Sequence, residues 1–480
     1  MVDLKTLPLA LAALSLSACA TVSDRIASQP KGEVYSGFTL VDPAAGTVTR
    51  DAWLVVQKGH IAAVGSGARP AGRFAATHDA TGLFAMPGLI DAHAHLVTGP
   101  FSVSLENGAP QVEMIAGEKY TRFNALIALA SGVTTLRNPG GSTEAASHYD
   151  TMQARGDWIG PEARHAGAII EPLPLAGESF AHPANRREWD AEATRQANAG
   201  MTYFKLYHDL TEQEIGEGAR AALAHGLIPI AHLDEVSWTR AAELGVRQFE
   251  HAQPFSRELL PANDRAGFAI DPYARYAYRW FELVDLDGPE IAAMIRTLRE
   301  RHAIVTLTLI ANEVIYNVRD LAEIFPPDEI ALYQPESLAS ARANYTALGA
   351  AWTTEDAARA RAIWPKVLRF ARQLHDAGVS MMIGTDSTGG TPFLARELGH
   401  HVAAGIPPME VLRMVTSGNA ELMGLTDTGR IARGMEADIV FLRADPTIDV
   451  RNVRDVAFTL SNGTRYSPAD LIDQAEAFAK

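Results

Sequence analysis

The chain has 480 residues, of which 47% are hydrophobic and 21% charged. These proportions are typical of a folded globular protein and unlike those of disordered or multi-span membrane proteins. Its net charge of −15 disfavours binding to nucleic acids or to an anionic lipid surface, and its single cysteine excludes an intramolecular disulfide and a cysteine-rich zinc site. At about 150 residues per domain the length suggests roughly three domains, although α/β barrels can exceed about 400 residues.

The first segment, residues 1–18, is typical of an export signal. Its apolar run, residues 7–18, is too short to span a bilayer. The tetrapeptide LSAC, which ends at Cys19, resembles a bacterial lipobox, in which the cysteine is lipidated after cleavage. We therefore expect an exported, periplasmic lipoprotein anchored to a bacterial membrane only through Cys19, with residues 19–32 as a tether. The alternative is an ordinary apolar N-terminal segment, because the positive charge before the apolar run is weak.

Short β-rich runs occupy both ends of the remaining chain. Residues 33–86 contain EVYSGFTLVD and TVTRDAWLVVQKG, separated by Gly, Pro and Asp, which is typical of hairpins. Residues 427–480 show the same pattern in GRIARGMEADIVFLRAD. We expect the two ends to form one small composite β-sandwich domain.

Between these ends, residues 87–426 alternate apolar β-branched runs with alanine-rich helical patterns such as HDLTEQEIGEGARAALAHG. The apolar runs are GLIDAHAHL, SGVTTLRN, EARHAGAII, MTYFKLYH, GLIPIAHLD, GVRQFEHAQ, HAIVTLTLI and VSMMIGTDS. Eight strands that alternate with helices predict an α/β fold, a (β/α)8 TIM barrel. The active site of such a barrel lies at the carboxyl ends of its strands.

Two connections, about residues 252–300 after the sixth strand and about 310–378 after the seventh, are long. They carry these aromatic residues: Trp280, Phe281, Tyr316, Phe325, Tyr333, Tyr345, Trp352 and Trp364. Long connections after barrel strands lie on the face where active sites form. The aromatic side chains either line a substrate pocket or form the cores of added helices.

Several strand runs end in a side chain that can bind a metal. In GLIDAHAHL, the alternation of a strand places His93 and His95 on the same side, where two imidazoles can hold one ion. Four later runs end in further candidates: Lys205, His232, His251 and Asp386. The pattern predicts a metal centre at the mouth of the barrel.

These residues resemble those of the amidohydrolase superfamily of metal-dependent hydrolases. The resemblance rests on MPGLIDAHAHL, on GTDS around Asp386, on the closing GRIARGMEADIVFLRADP, and on the strand-end residues Lys205, His232 and His251. Within the superfamily the chain is most similar to the imidazolonepropionase-related prolidases, carboxypeptidases and N-acyl-amino-acid hydrolases. The implied metals are two divalent ions, with zinc expected. The implied ligands are His93, His95 and Asp386 for one ion, His232 and His251 for the other, and a bridging Lys205 carboxylated by CO2.

The resemblance implies hydrolysis of an amide C–N bond in a small-molecule substrate such as a dipeptide or an N-acyl amino acid. Two metals lower the pKa of a shared water so that hydroxide can attack near neutral pH. Asp386 would then serve as general base and acid. The ammonium of an unmodified Lys205 would repel a cation, whereas a carbamate is an anion with two oxygens.

Tyr207 and His182 are candidate substrate contacts. Tyr207 lies two residues beyond the strand-end lysine and shares its strand face, with core packing as the alternative. His182 follows the third strand in AGESFAHP, where relatives have a Gly-Gly-His stretch. Asp91 either orients a ligand or is an ordinary hydrogen-bonded strand residue. Relatives have Arg-Asp where this chain has RN at positions 137–138.

Other functions stay open. His232-Leu233-Asp234-Glu235 also fits the H-x-x-E pattern of a mononuclear deaminase or cyclic-amide hydrolase. The same site could hydrolyse esters or lactones, because activated water attacks any suitably placed carbonyl. A catalytically inactive binding module is disfavoured, since none of the implied ligands is missing. The sequence allows a homo-oligomer and does not decide the substrate.

Overall fold

The computed structural model describes residues 32–106, 109–173, 175, 177–388 and 393–479, with the backbone alone at 104–106 and 109–111. The expected export signal and Cys19 lie outside the described residues. Within those ranges, no helix combines the length and the apolar character needed to cross a bilayer.

Strands from both ends of the chain pair in one sheet. With labels in chain order, its strands are β1 (Glu33–Asp42), β2 (Thr47–Gln57), β3 (His60–Ser66), β4 (Ala76–Asp79), β5 (Phe84–Pro87), β20 (Ile439–Leu442), β21 (Val456–Ser461) and β22 (Thr464–Tyr466). The order is β22-β21-β20-β5-β1-β2-β3, with β4 beside β1. The two ends join where β5 and β20 pair antiparallel, with Met86 opposite Val440. The domain limits at residues 86 and 427 stay predictions.

An apolar cluster covers one side of this sheet. Tyr35, Phe38, Leu54, Phe441 and Phe458 are all buried in it, and the rings of Phe441 and Phe458 stack with centroids 4.3 Å apart. Because β-branched and aromatic side chains pack well on a pleated surface, this cluster explains why the sequence at both ends is rich in them.

Each of the eight central runs contains strand. The strands are β6 (Leu89–Asp91), β7 (Ala94–His95), β10 (Val133–Asn138), β11 (Glu162–His165), β12 (Ile169–Ile170), β14 (Tyr203–Leu206), β15 (Ile228–Ala231), β16 (Gln248–Glu250), β17 (Ile304–Thr306), β18 (Ser380–Met382) and β19 (Ser387–Thr388). Neighbouring runs pair in parallel from β6 through β18. The last run returns to the first, because β19 pairs in parallel with β7. The pairing is that of a TIM-barrel-type α/β fold, and β13 (Phe180–Ala181) adds to it beside β12.

Helices connect these strands and follow the last of them. They are α1 (Glu118–Ala130), α2 (Thr143–Ala154), α3 (Arg186–Asn198), α4 (Glu212–Ala224), α5 (Trp238–Leu244), α6 (Tyr276–Leu283), α7 (Pro289–Glu300), α8 (Leu309–Tyr316), α9 (Leu321–Ile324), α10 (Pro327–Ile330), α11 (Pro335–Ala351), α12 (Thr354–Asp376), α13 (Leu394–Ala403), α14 (Pro408–Arg413), α15 (Asn419–Met423) and α16 (Pro468–Glu476). Helix α4 begins with a capping box in which Thr211 and Glu214 satisfy each other's backbone N–H groups. The long connection after the seventh strand folds into α8–α12.

A hairpin that the sequence analysis did not foresee follows the first barrel strand. It consists of β8 (Thr98–Glu106) and β9 (Ala109–Ala116). Asn344 of α11 holds it: the Asn344 side-chain amide donates to the Phe101 carbonyl at 2.7 Å, and the Val103 N–H donates to Asn344 Oδ1 at 3.2 Å. The hairpin and α11 therefore form one wall.

Candidate metal centre

All six predicted metal ligands line one cavity: His93, His95, Lys205, His232, His251 and Asp386. Each lies in a barrel strand or within a few residues of its carboxyl end. Strand direction explains the convergence, because the carboxyl ends of parallel strands meet at one edge.

Nitrogens of three imidazole rings lie close to the Asp386 carboxylate. Its Oδ1 lies 3.1 Å from His93 Nε2 and 3.2 Å from His95 Nε2, and its Oδ2 lies 3.8 Å from His251 Nδ1. His93 Nε2 is buried and has no hydrogen bond of acceptable geometry among the described residues. One ligand atom each of His93, His251 and Asp386 lies within 4.8 Å of the others. Imidazole and carboxylate ligands at this spacing fit a divalent cation.

The ionised form of Asp386 is favoured in this setting. Burial alone would raise the pKa of its carboxyl group, but the attraction of His251 and the contacts of His93 and His95 hold that pKa well below its usual value. The carboxylate is thus in the form that binds a cation.

Lys205 is buried at the end of β14 without a partner. No hydrogen bond or ion pair reaches its Nζ from the residues that the structure describes; Nζ lies 5.9 Å from the centroid of the Tyr207 ring, and Glu250 and Asp386 attract it only from beyond ion-pair distance. Burial lowers the pKa of Lys205 to about 8. A buried lysine ordinarily has a hydrogen-bond or ion-pair partner. Lys205 Nζ is therefore free to interact with a group that is not part of the polypeptide.

His232 lies between two other histidines. Its ring centroid is 4.1 Å from that of His251 and 4.0 Å from that of His208. His208 Nδ1 lies 2.6 Å from Asp234 Oδ2, and one ligand atom each of His208, His232 and Asp234 lies within 4.8 Å of the others. The described residues thus contain a second candidate group, in which His232 is accompanied by His208 and Asp234 and not by His251. The sequence analysis did not foresee this grouping.

A buried ion pair fixes the orientation of His93. His93 Nδ1 donates to Glu250 Oε2 at 2.6 Å. Arg137 donates to both Glu250 oxygens, at 2.8 and 2.7 Å, and further to Gln248 and Thr306. Despite complete burial, the Arg137 charge holds the pKa of Glu250 well below its usual value. Because an ionised Glu250 keeps the proton on Nδ1, His93 Nε2 is left free as a ligand atom.

Sequence reasoning missed the roles of Arg137 and Glu250, although two signals were available. Arg137 is a charged residue inside the apolar run VTTLRN, and a buried charge requires a buried partner. Glu250 directly precedes the strand-end His251 in QFEH.

Two ligand positions adopt left-handed backbone conformations that non-glycine residues rarely use. His251 has φ 67° and Asp386 has φ 57°, each at a cost of about 1–3 kcal/mol. Nearby Gly384 has no room for a side chain, since a Cβ there would lie 2.5 Å from the His93 backbone nitrogen. The last strand therefore lies against the first, and this places Asp386 beside His93.

Of the two predicted substrate contacts, one is among the described residues that line the cavity and the other is not. Tyr207 lines the cavity. His182 is not among the described residues that line it, because its Nδ1 lies 2.6 Å from the Glu171 carbonyl oxygen and its Nε2 3.1 Å from that of Leu175. The substrate contact of His182 stays a prediction that the geometry of its ring does not favour.

Asp91 and Asn138 both join backbone segments. Asp91 accepts hydrogen bonds from the backbone of His93 and from the backbone and hydroxyl of Thr385, and burial raises its pKa to about 6. Asn138 Oδ1 accepts from the Leu96 N–H. Asp91 therefore ties the first run to the last and is a hydrogen-bonded strand residue.

The cavity above the ligands has a volume of about 240 Å3. Its apolar wall comes from both the hairpin and the long connection: Phe101, Val103, Val112, Met114, Ile169, Phe325, Tyr333, Ala341, Tyr345 and Phe393. Other aromatic residues of the long connections, Trp280, Phe281, Tyr316 and Trp352, are buried in the main core. Both sequence-based interpretations of these aromatics therefore hold, for different residues.

Comparison with known proteins identifies the family of this chain. The model of the Amidohydrolase family matches residues 84–466. The chain belongs to the amidohydrolase family. It is a hydrolase that acts on C–N bonds, and amidohydrolases generally use divalent metals.

The family relatives include enzymes of two kinds. The imidazolonepropionase of Deinococcus deserti is 26% identical over 454 residues, 89% of this chain and 95% of the relative. That of Streptomyces avermitilis is 26% identical over 383 residues, 76% and 74% of the two chains. Among solved structures, a Xaa-Pro dipeptidase with bound methionine superposes with a TM-score of 0.65 at 19% identity, covering 91% of this chain and 99% of that one. A bottromycin amidohydrolase gives 0.65 at 20% identity, covering 95% and 91%. At these identities the structural likeness concerns the fold.

Proposed function

We propose that this protein is a binuclear metal-dependent hydrolase that cleaves the amide bond of a small molecule, such as a dipeptide or an N-acyl amino acid. The observation that carries the proposal is the convergence of three imidazole nitrogens on the Asp386 carboxylate at 3.1–3.8 Å. Zinc is the expected metal, because imidazole and carboxylate are common zinc ligands.

In the proposed site His93, His95 and Asp386 would hold one ion. His232 and His251 would hold the second, with His208 and Asp234 next to His232. Lys205, after carboxylation, would supply an anionic ligand to both. Carboxylation requires a neutral amine to attack CO2, and the lowered pKa of Lys205, about 8, makes that form accessible near neutral pH. The missing partner of Nζ supports the same proposal.

When bound, the divalent ions would polarise the scissile carbonyl and lower the pKa of water. The ionised Asp386 accepts a proton from the attacking water at a carboxylate oxygen and returns it to the leaving nitrogen. Tyr207 keeps its phenolic proton, because burial raises its pKa far above the ordinary value, so its hydroxyl can donate a hydrogen bond to the substrate carbonyl oxygen. The ion pair of Arg137 and Glu250 keeps the His93 ring in the same orientation throughout the reaction.

A mononuclear cyclic-amide hydrolase is the second candidate. It is supported by the relatives named imidazolonepropionases, whose name denotes a cyclic amide. The H-x-x-E pattern would assign proton transfer to Glu235, but this residue is exposed and is not among the described residues that line the cavity. The buried, unpaired Lys205 also has no role in that mechanism. We therefore favour the binuclear centre.

We also propose that the protein is exported and held at a bacterial membrane by lipidation of Cys19. The sequence LSAC and the apolar run before it support this proposal. Labelling of cells with a radioactive fatty acid would reveal a lipidated band that disappears in a Cys19→Ser variant.

The function is tested with the full chain, first stripped of metal by a chelator and then reconstituted with zinc and bicarbonate. The panel contains dipeptides, N-acyl amino acids, neutral amides and lactones. We expect C–N hydrolysis only after reconstitution. Turnover confined to lactones, or equal turnover by the stripped chain, would contradict the proposal.

A further inference from the structure

The cavity wall has a composition that restricts the substrate. Apart from the metal-ligating residues, Tyr207 and Thr388, every described residue that lines the cavity is apolar or a phenol on an apolar wall. At about 240 Å3 the cavity is larger than the roughly 150 Å3 that suffices for benzene in an apolar core. It has room for one ring and an adjoining amide group.

Charge is confined to the floor of the cavity. Among the described lining residues the only lysine, arginine or acidic side chains are Lys205 and Asp386, and both are in the metal-ligating set. The internal residues outside the description, 107–108, 174, 176 and 389–392, include no lysine or arginine in the sequence. Among the described lining residues, no cationic side chain outside the metal-ligating set is thus left to pair with a carboxylate next to the scissile bond.

Two arginines lie next to aromatic rings of the apolar wall. Arg396 pairs with Glu313 at 2.7 Å and Glu329 at 3.1 Å, and its guanidinium lies 5.5 Å from the Phe393 ring. Arg342 is exposed, with its guanidinium 5.6 Å from the ring of Phe325. Both pack against a lining ring, and neither is among the described residues that line the cavity.

Within the proposed hydrolase function, we propose that the substrate is a neutral amide with a bulky apolar or aromatic group and no free carboxylate next to the scissile bond. The apolar group lies between the hairpin β8–β9 and helix α11, and the amide lies over the ligands. A free carboxylate would lose its hydration at this wall without gaining an ion pair, which is unfavourable. Free dipeptides and N-acyl amino acids, both of which carry such a carboxylate, are therefore expected to be poorer substrates than the corresponding neutral amides.

The test compares three matched amides on the full chain loaded with zinc: N-phenylacetyl-glycinamide, N-phenylacetyl-glycine and N-acetyl-glycinamide. We expect kcat/KM for the first to exceed that for the acetyl compound by at least about 100-fold, because an apolar pocket discriminates by about 10–200-fold for a single methylene. It should exceed that for the carboxylate compound by at least about 10-fold. Equal or better turnover of N-phenylacetyl-glycine would overturn the inference.

A charge placed on the wall supplies a second readout. Val103 lines the cavity and is 46% exposed, and Val48, on β2, is 47% exposed and matches it outside the site. Val103→Arg should shift the preference towards the carboxylate compound by about 10-fold or more, whereas Val48→Arg should leave the preference unchanged. An unchanged preference in Val103→Arg would also overturn the inference.

Failure of the hydrolase proposal gives a different result. If the zinc-loaded chain hydrolyses neither these three amides nor any dipeptide or N-acyl amino acid of the wider panel, that proposal fails, and the substrate class is then determined from the shift in Tm that each compound produces. N-phenylacetyl-glycinamide should raise Tm most. Equal or greater protection by the carboxylate compound would contradict the inference independently of turnover.

Discussion

Two clusters of buried charge lie side by side in this barrel, and they differ in how completely their hydrogen bonds are satisfied. In the first, Arg137 donates to Glu250, Gln248 and Thr306, and Glu250 also accepts from His93. In the second, Lys205 has no hydrogen bond or ion pair among the described residues, and His93 Nε2 lies beside Asp386 without forming a hydrogen bond.

This difference distinguishes side chains that hold others in position from side chains that are available for chemistry. Buried polar groups are nearly always hydrogen-bonded, and a group left unsatisfied usually marks a strained or functional site. The hydrogen-bonded pair of Arg137 and Glu250 holds His93 in place. In the second cluster, His93 Nε2 and Lys205 Nζ lack hydrogen bonds and face the same cavity. His93 joins the two, because its Nδ1 belongs to the first cluster and its Nε2 to the second.

The largest expected effect comes from the unsatisfied cluster. Asp386→Asn keeps the shape of the side chain but removes the negative charge and the proton acceptor, so kcat should fall by at least about 1,000-fold. The folded structure, followed by circular dichroism, should be kept. Asp473→Asn, an exposed change on α16, is the matched control. Unchanged turnover in Asp386→Asn would remove this residue from the mechanism.

Removing one partner from the satisfied cluster should instead reduce stability. Glu250→Gln leaves the Arg137 charge buried without a counter-ion, and such a loss costs about 3–5 kcal/mol. Metal affinity should fall about 10–100-fold, because the tautomer of His93 is no longer fixed. Denaturant unfolding and metal titration measure the two effects, with exposed Glu300→Gln as the control. A stable Glu250→Gln protein with normal metal affinity would show that the pair is not a support.

Substitutions of Tyr207 and His182 compare a residue that lines the cavity with one that is not among its described lining residues. Tyr207→Phe removes one hydrogen bond to the substrate and should lower kcat about 5–10-fold with little change in Tm. His182→Ala removes contacts with two backbone carbonyls, so its Tm should fall while kcat changes little. The reverse pattern, an active Tyr207→Phe and an inactive but stable His182→Ala, would reinstate His182 as a substrate contact.

The smallest expected effect concerns a carboxylate far from the metal centre. Burial, with repulsion from Asp438 and Asp427, raises the pKa of Glu436 from 4.5 to about 7. The folded chain thus holds this proton more tightly than the unfolded chain, and the ionised group destabilises the fold increasingly as the pH rises from about 4.5 to about 7. Glu436→Gln should therefore raise Tm by about 1–2 °C at pH 8 and leave it unchanged near pH 4. Exposed Glu476→Gln should change Tm at neither pH, and a Glu436→Gln effect that does not depend on pH would contradict the assignment.

Much of this architecture could be predicted from sequence, because it depends on short-range patterns. Apolar β-branched runs marked all eight central strands, and the side-chain alternation of a strand placed His93 and His95 together. The hairpin Thr98–Ala116 was missed, although the sequence NG between two alternating runs is a hairpin signal. Its contact with α11 could not be foreseen, since it joins residues more than 200 positions apart.

The sequence placed the candidate ligands at strand ends but did not indicate which residues they contact. A strand-end histidine is visible in sequence, but the bond from His93 to Glu250 spans 157 residues. The position of His208 beside His232 depends on how two neighbouring strands pair, as does the division of the aromatics between cavity and core. His182 was proposed as a substrate contact from a local resemblance alone. In the structure its ring nitrogens contact the backbone carbonyls of Glu171 and Leu175.

The most direct test of the proposed centre is the metal content of the full chain after reconstitution with zinc, with and without bicarbonate. The account predicts about two ions per chain with bicarbonate, fewer without it, and no more than about one in a Lys205→Ala variant under either condition. One ion per chain in the natural protein, or two in Lys205→Ala regardless of bicarbonate, would contradict it.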